Sequence, residues 1–104
     1  MKLAVLVVKE DLQSIDSDCG SIEINDDVYH FKDVAKELNL ILFYTIDESD
    51  VTIINQAQQV VLKDQINTIS QRTDVNQTIV NILSTAQKAA GFYDCLYIKL
   101  VGVK

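Results

Sequence analysis

The sequence predicts an α/β chain of the α+β type: a single domain with a mixed sheet of about four to five strands and two to three helices mainly on one face. Three observations predict it. Apolar runs rich in Val, Ile and Leu fill residues 3–8 and 40–46. Stripes of apolar residues at helical spacing lie between and after them. Residues 94–103 alternate between apolar and mixed positions. Strand-like and helix-like segments therefore interleave within 104 residues, a length that fits one domain.

Residues 3–8 form a continuous apolar run with three Val, the pattern of a strand buried on both faces. Residues 10–20 are polar and read as a loop. Residues 21–25 alternate, with Ile22 and Ile24 on one side. Asp26 and Asp27 separate them from Val28, Tyr29, His30 and Phe31, and the two short runs suggest a hairpin. Residues 31–40 read as an amphipathic helix, with Phe31, Val34, Ala35 and Leu38 opposite Lys32, Asp33, Lys36 and Glu37. Asn39 supplies a stop. Residues 40–46 read as a second buried strand, and 47–50 as a turn leading into a helix cap.

Residues 51–72 admit two readings. As a helix, Ile53, Ile54, Ala57, Val60 and Val61 share a face, but Leu62, Ile66 and Ile69 fall on another. A kinked helix is favoured; a strand over 51–54 followed by a helix from about Val60 is the alternative. Asp74 with Gln77 resembles a capping box. Val75, Ile79, Ile82, Leu83, Ala86, Ala89 and Ala90 then form a stripe that Gly91 ends. In the closing strand, Leu96, Ile98 and Leu100 face one way, and Cys95, Tyr97, Lys99 and Val101 the other. Its half-apolar outer side suggests a sheet edge open to pairing.

Composition bounds the function. Fifteen acidic and nine basic side chains give a net charge of −6. The imbalance is local: residues 1–50 hold 12 acidic and 4 basic side chains, residues 51–104 hold 3 and 5. Glu10, Asp11, Asp16, Asp18, Glu23, Asp26 and Asp27 follow one another with no basic residue between. Such a surface repels a phosphate backbone and attracts a basic protein. With Asp47, Glu48 and Asp50 these residues make up the expected partner-binding set, and direct nucleic-acid binding is not expected. Immunity proteins, antitoxins and inhibitors of nucleic-acid enzymes act through surfaces of this kind.

Other chemistry finds no motif. The sequence has no GxSxG, no HExxH and no CxxC, and its three glycines are dispersed. Counted from Asp16, the sixth and twelfth positions of a calcium loop are Ser21 and Asp27, where Gly and Glu are needed. The reading is therefore a non-enzymatic binding protein without metal or cofactor. His30, the single histidine, reads as an ordinary strand residue. Cys95 reads as a buried thiol and Cys19 as an exposed one, both free in a reducing compartment. No apolar run is long enough for a membrane span and no signal-peptide pattern opens the chain, so a cytoplasmic protein is expected. The alternative function is a self-assembling or small-molecule-binding module. It rests on the amide-rich stretch 55–87, with 11 Asn or Gln in 33 positions. Gln58, Gln65, Tyr93 and Tyr97 are its candidate contacts in a homo-oligomer.

Overall fold

A computed structural model describes every residue except Glu48, Asp94 and Lys104. The elements run β1 (Lys2–Val8), β2 (Ile15–Glu23), α1 (Asp26–Glu37), α2 (Ile41–Tyr44), β3 (Val51–Ile54), α3 (Gln56–Ile69), α4 (Gln77–Ala90) and β4 (Tyr97–Val103). The strands form one sheet in the order β2-β1-β4-β3, antiparallel at every step. The chain is thus a single α+β domain with four strands and four helices, the second helix a single turn.

The core lies on one side of this sheet. Val5 and Val7 of β1 stand opposite Leu100 and Ile98 of β4, and all four are wholly buried. Leu3, Ile22 and Ile54 extend the same face. Each long helix turns one stripe onto it: Val28, Phe31, Val34 and Ala35 from α1, Leu62, Ile66 and Ile69 from α3, and Ile79, Val80, Leu83 and Ala86 from α4. Phe43 of α2 meets Phe31 edge to face at 5.1 Å, closing the layer at that end. All four helices therefore cover the same face. The expectation that residues 3–8 are buried on both faces is corrected: Ala4 and Leu6 remain partly exposed on the other side.

The polar stretch read as a loop is largely β2, the edge strand. Its backbone pairs with β1, so its side chains need not be apolar, and charged residues on an edge discourage stray pairing. Two register shifts bend it, and Gly20 sits at the first with φ +112°, a conformation that L-residues avoid. The expected hairpin at 21–31 is replaced by the start of α1. The Asn25 side chain accepts the Asp27 N–H at 3.0 Å, and Asp26 and Asp27 sit in the first turn, where carboxylates favour the helix dipole. Capping outweighs the β propensity of Val28 and Tyr29, and His30 is a helix residue.

Residues 40–46 are not a strand. Asn39 takes φ +59° and ends α1 in a Schellman turn, with Leu40 N–H donating to the Ala35 carbonyl and Asn39 N–H to that of Lys36. The reversed chain forms α2, whose apolar residues pack against α1 and α3 rather than against strands. The Tyr44 hydroxyl donates to the Ala35 and Lys36 carbonyls, each at 3.0 Å.

For 51–72 the alternative holds in its strand: residues 51–54 are β3. The helix starts at Gln56, earlier than expected, because Asn55 and Gln58 form a reciprocal capping box. The face read across residues 53–61 is not one helix face: Ile53 and Ile54 belong to β3, and Val60 and Val61 of the continuous α3 are exposed. The cap of α4 is Asn76, not Asp74; its side chain accepts the Thr78 N–H at 2.9 Å. Gly91 caps the end of α4 as expected. The last strand is central, flanked by β1 and β3, which corrects its reading as an edge.

Asn39 offers a direct check on this chain reversal. Replacing it with Val places a β-branched residue at positive φ and should cost about 1–2 kcal/mol in chemical denaturation, whereas Asn39→Gly should leave stability close to wild type.

Candidate functional site

The acidic residues fall into two groups at opposite edges of the sheet. Glu10 and Asp11 occupy the β1–β2 turn, Asp16, Asp18 and Glu23 lie on edge strand β2, and Asp26 and Asp27 begin α1. All seven are exposed. Asp47 and Asp50 precede β3 at the far edge, three strand spacings or about 14 Å across. Glu48 lies outside the described residues. The structure therefore brings the first seven together along β2 and the start of α1 and keeps the Asp47–Asp50 pair apart from them.

Several of these carboxylates already serve the fold. Asp11 accepts the Gln13 N–H at 2.9 Å, the Ser14 N–H at 2.8 Å and the Ser14 hydroxyl at 2.6 Å. The Ser14 hydroxyl, then the two amides, hold its carboxyl down at about 2. Asp18 accepts the Gly20 N–H across the bulge at 3.0 Å. The Ser49 hydroxyl and amide lower Asp47 in the same manner. Among the described residues with hydrogen bonds, Asp27 has a longer-range partner: Asn76 Nδ2 donates to its Oδ2 at 3.0 Å, joining the start of α1 to that of α4.

This contact borders a cleft of about 220 Å³ between β2, α1 and α4. Glu23 and Asp27 stand at its rim with Asn25 and Asn76, and Ile22, Ile79 and Ile82 form the floor. The arrangement offers carboxylate acceptors beside an apolar surface. Among the described residues no group of three or more His, Cys, Asp or Glu side chains is placed to hold a metal ion.

His30 and Asp74 form a second polar cluster. His30 Nε2 lies 3.2 Å from Asp74 Oδ2, and Arg72 reaches both Asp74, at 2.9 Å, and Glu37, at 3.3 Å. The Arg72 guanidinium holds the Asp74 carboxyl below its ordinary value. The cluster is exposed and pins α1 to the α3–α4 connection. Its geometry is that of a surface strap.

Part of the amide-rich stretch serves the fold, although of its eleven amides only Gln59 is buried. Gln58 closes the α3 cap, and Gln65 Oε1 accepts the Leu42 N–H at 3.2 Å. The Gln56 and Gln59 side chains both donate to the Leu96 carbonyl, which binds α3 to the approach of β4. Tyr93 is 64% exposed beside Phe92 at 80%, and Tyr97 is partly buried in β4. The four proposed self-contact residues therefore do not share one surface. The thiols exchange the places expected of them: Cys95 is exposed, while Cys19 is partly covered and burial pushes its thiol up.

An uncovered sheet face follows from the expectation of helices mainly on one side, but its apolar character went unread. Its signal was present: Leu6, Ile53 and Val101 are apolar where a solvated strand face is ordinarily polar. No family model, curated protein or solved structure matches the chain.

The Asp11 turn yields a pH signature. A folded-state carboxyl held near 2 stabilises the turn above the ordinary carboxyl range, and that contribution is lost as pH falls from about 4 through 2. Carboxyl NMR titration should give Asp11 a midpoint near 2. Ser14→Ala should move that midpoint up towards the ordinary 3.8.

Proposed function

We propose that the chain is a small acidic, non-enzymatic binding protein that docks a basic protein partner along β2 and the start of α1. One observation carries the reading: seven exposed carboxylates follow the edge strand and enter the next helix with no basic side chain between residues 10 and 27. A charged strip of this kind raises the association rate of an oppositely charged surface and orients it. The cleft at the end of the strip supplies a more local contact. The aliphatic stem of a partner Lys or Arg fits over Ile79 and Ile82, with its charged end at Glu23 and Asp27. Immunity proteins, antitoxins and enzyme inhibitors that cover a basic active site are the functional type.

The test uses four near-isosteric substitutions, Asp16→Asn, Asp18→Asn, Asp26→Asn and Asp27→Asn, which keep acceptor oxygens for the turn and cap contacts. Proteins retained by the immobilised wild-type chain at low salt should be basic, should elute as salt rises, and should be lost on the fourfold variant. Against a purified retained partner the variant should associate at least about tenfold more slowly, with a flatter salt dependence. Equal retention and equal rates would contradict the proposal.

A further inference from the structure

The sheet has a second face that no helix covers. The register places Ala4 and Leu6 of β1, Lys99 and Val101 of β4, and Val51 and Ile53 of β3 on this side. In an antiparallel sheet with one solvated face, these positions are ordinarily polar. Five of these six are apolar, with Lys99 the exception; towards the β2 edge the same face carries Lys2, Asp18, Ser21 and Glu23. Val51 is 45% exposed and, at the end of β4, Val103 is 41% exposed. One end of this face is covered: Val8 there is wholly buried, and in the β1–β2 turn the Leu12 carbonyl accepts from Lys99 Nζ at 3.2 Å.

We propose that this face packs against the same face of a second copy of the chain. Charge is the first reason for a copy rather than the basic partner. The molecule carries −6, but this face is balanced: Lys2 stands opposite Glu23, and Leu6 has Asp18 on one side and Lys99 on the other. A strongly basic surface gains little against it. Symmetry is the second reason. A half-turn about an axis parallel to the strands, between β1 and β4, lays Ala4 over the partner's Val101 and Leu6 over the stem of the partner's Lys99. Lys99 then stands over the partner's Leu6, next to the partner's Asp18. A small side chain meets a larger one, and a cation meets a carboxylate, twice by symmetry. The same operation sets the two acidic β2 edges on opposite sides of the pair, where they repel least.

Area sets the strength. Four strands about 4.8 Å apart, each rising about 3.3 Å per residue, offer roughly 400 Å² of plane per copy. Two such faces bury about 800 Å² in total, below the roughly 1,200 Å² at which stable interfaces begin, so the dimer is weak and transient. Aligned packing at about 10 Å between sheets would leave the helices outside. The surface shares Asp18 and Glu23 of β2 with the acidic strip, but not Asp26 and Asp27 of α1.

Sedimentation equilibrium over micromolar to millimolar concentrations tests this. The mass should rise from 11.7 kDa towards twice that value. Val101→Lys and Ile53→Glu, the second of which sets a carboxylate under the partner's Asp18, should each weaken association about tenfold or more while circular dichroism stays native, and Val101→Thr, the milder change, should weaken it less. Asp26→Asn with Asp27→Asn should leave the dimer intact, which separates this surface from the α1 end of the acidic strip. A chain that stays at 11.7 kDa across the whole range overturns the proposal. So does a dimer that persists unchanged in both Val101→Lys and Ile53→Glu.

Discussion

The pairing of β1 with β4 is the interaction on which the rest of the molecule depends. It joins the two ends of the chain over seven residue pairs, Lys2 with Val103 through Val8 with Tyr97. Its core face holds Val5, Val7, Ile98 and Leu100, all fully buried. Each helix buries its apolar stripe on this face, directly or through a neighbour. The edge strands β2 and β3 add to either side of the pair and inherit their register from it. Because the contact spans almost the whole sequence, closing it is the costly entropic step of folding, and the local helices alone cannot replace it.

One-sided packing follows from this arrangement and explains where interactions can form. With every helix on one face, no helix covers the other face or the β2 edge. The edge is acidic and follows strand rules: charge there guards an unpaired backbone. The same charge serves as a docking strip for a basic protein in the function proposed above. Acid residues with bonds to nearby amides and hydroxyls, such as Asp11 and Asp47, are turn formers first. Asp16, Glu23 and Asp26 are less committed to the fold and are the more available of the set.

The class of fold was legible because burial leaves a simple periodic trace. Residues 3–8 and the alternation through Leu96, Ile98 and Leu100 marked the central strands, and the stripe from Val75 to Ala90 marked α4. Three features were not legible. β2 is polar because it is an edge strand, and side-chain pattern cannot distinguish such a strand from a loop. Leu40 to Ile46 is apolar because it closes the core end, and a buried single turn resembles a buried strand in composition. Strand order is a property of the whole chain, so β4 read locally as an edge although β1 and β3 flank it. For the candidate site, the contiguity of Glu10 through Asp27 was visible in the sequence. The separation of Asp47 and Asp50 depends on strand order and was not.

Amide hydrogen exchange of the intact chain, resolved by residue, tests the central role of the β1–β4 pair most directly. Amides of Val5, Val7, Ile98 and Leu100 should exchange slowest, near the global unfolding rate, with β2 and β3 opening sooner. Exchange in β4 as fast as in β3 would contradict the account, because it would make β4 an edge and remove the pairing on which the fold is built.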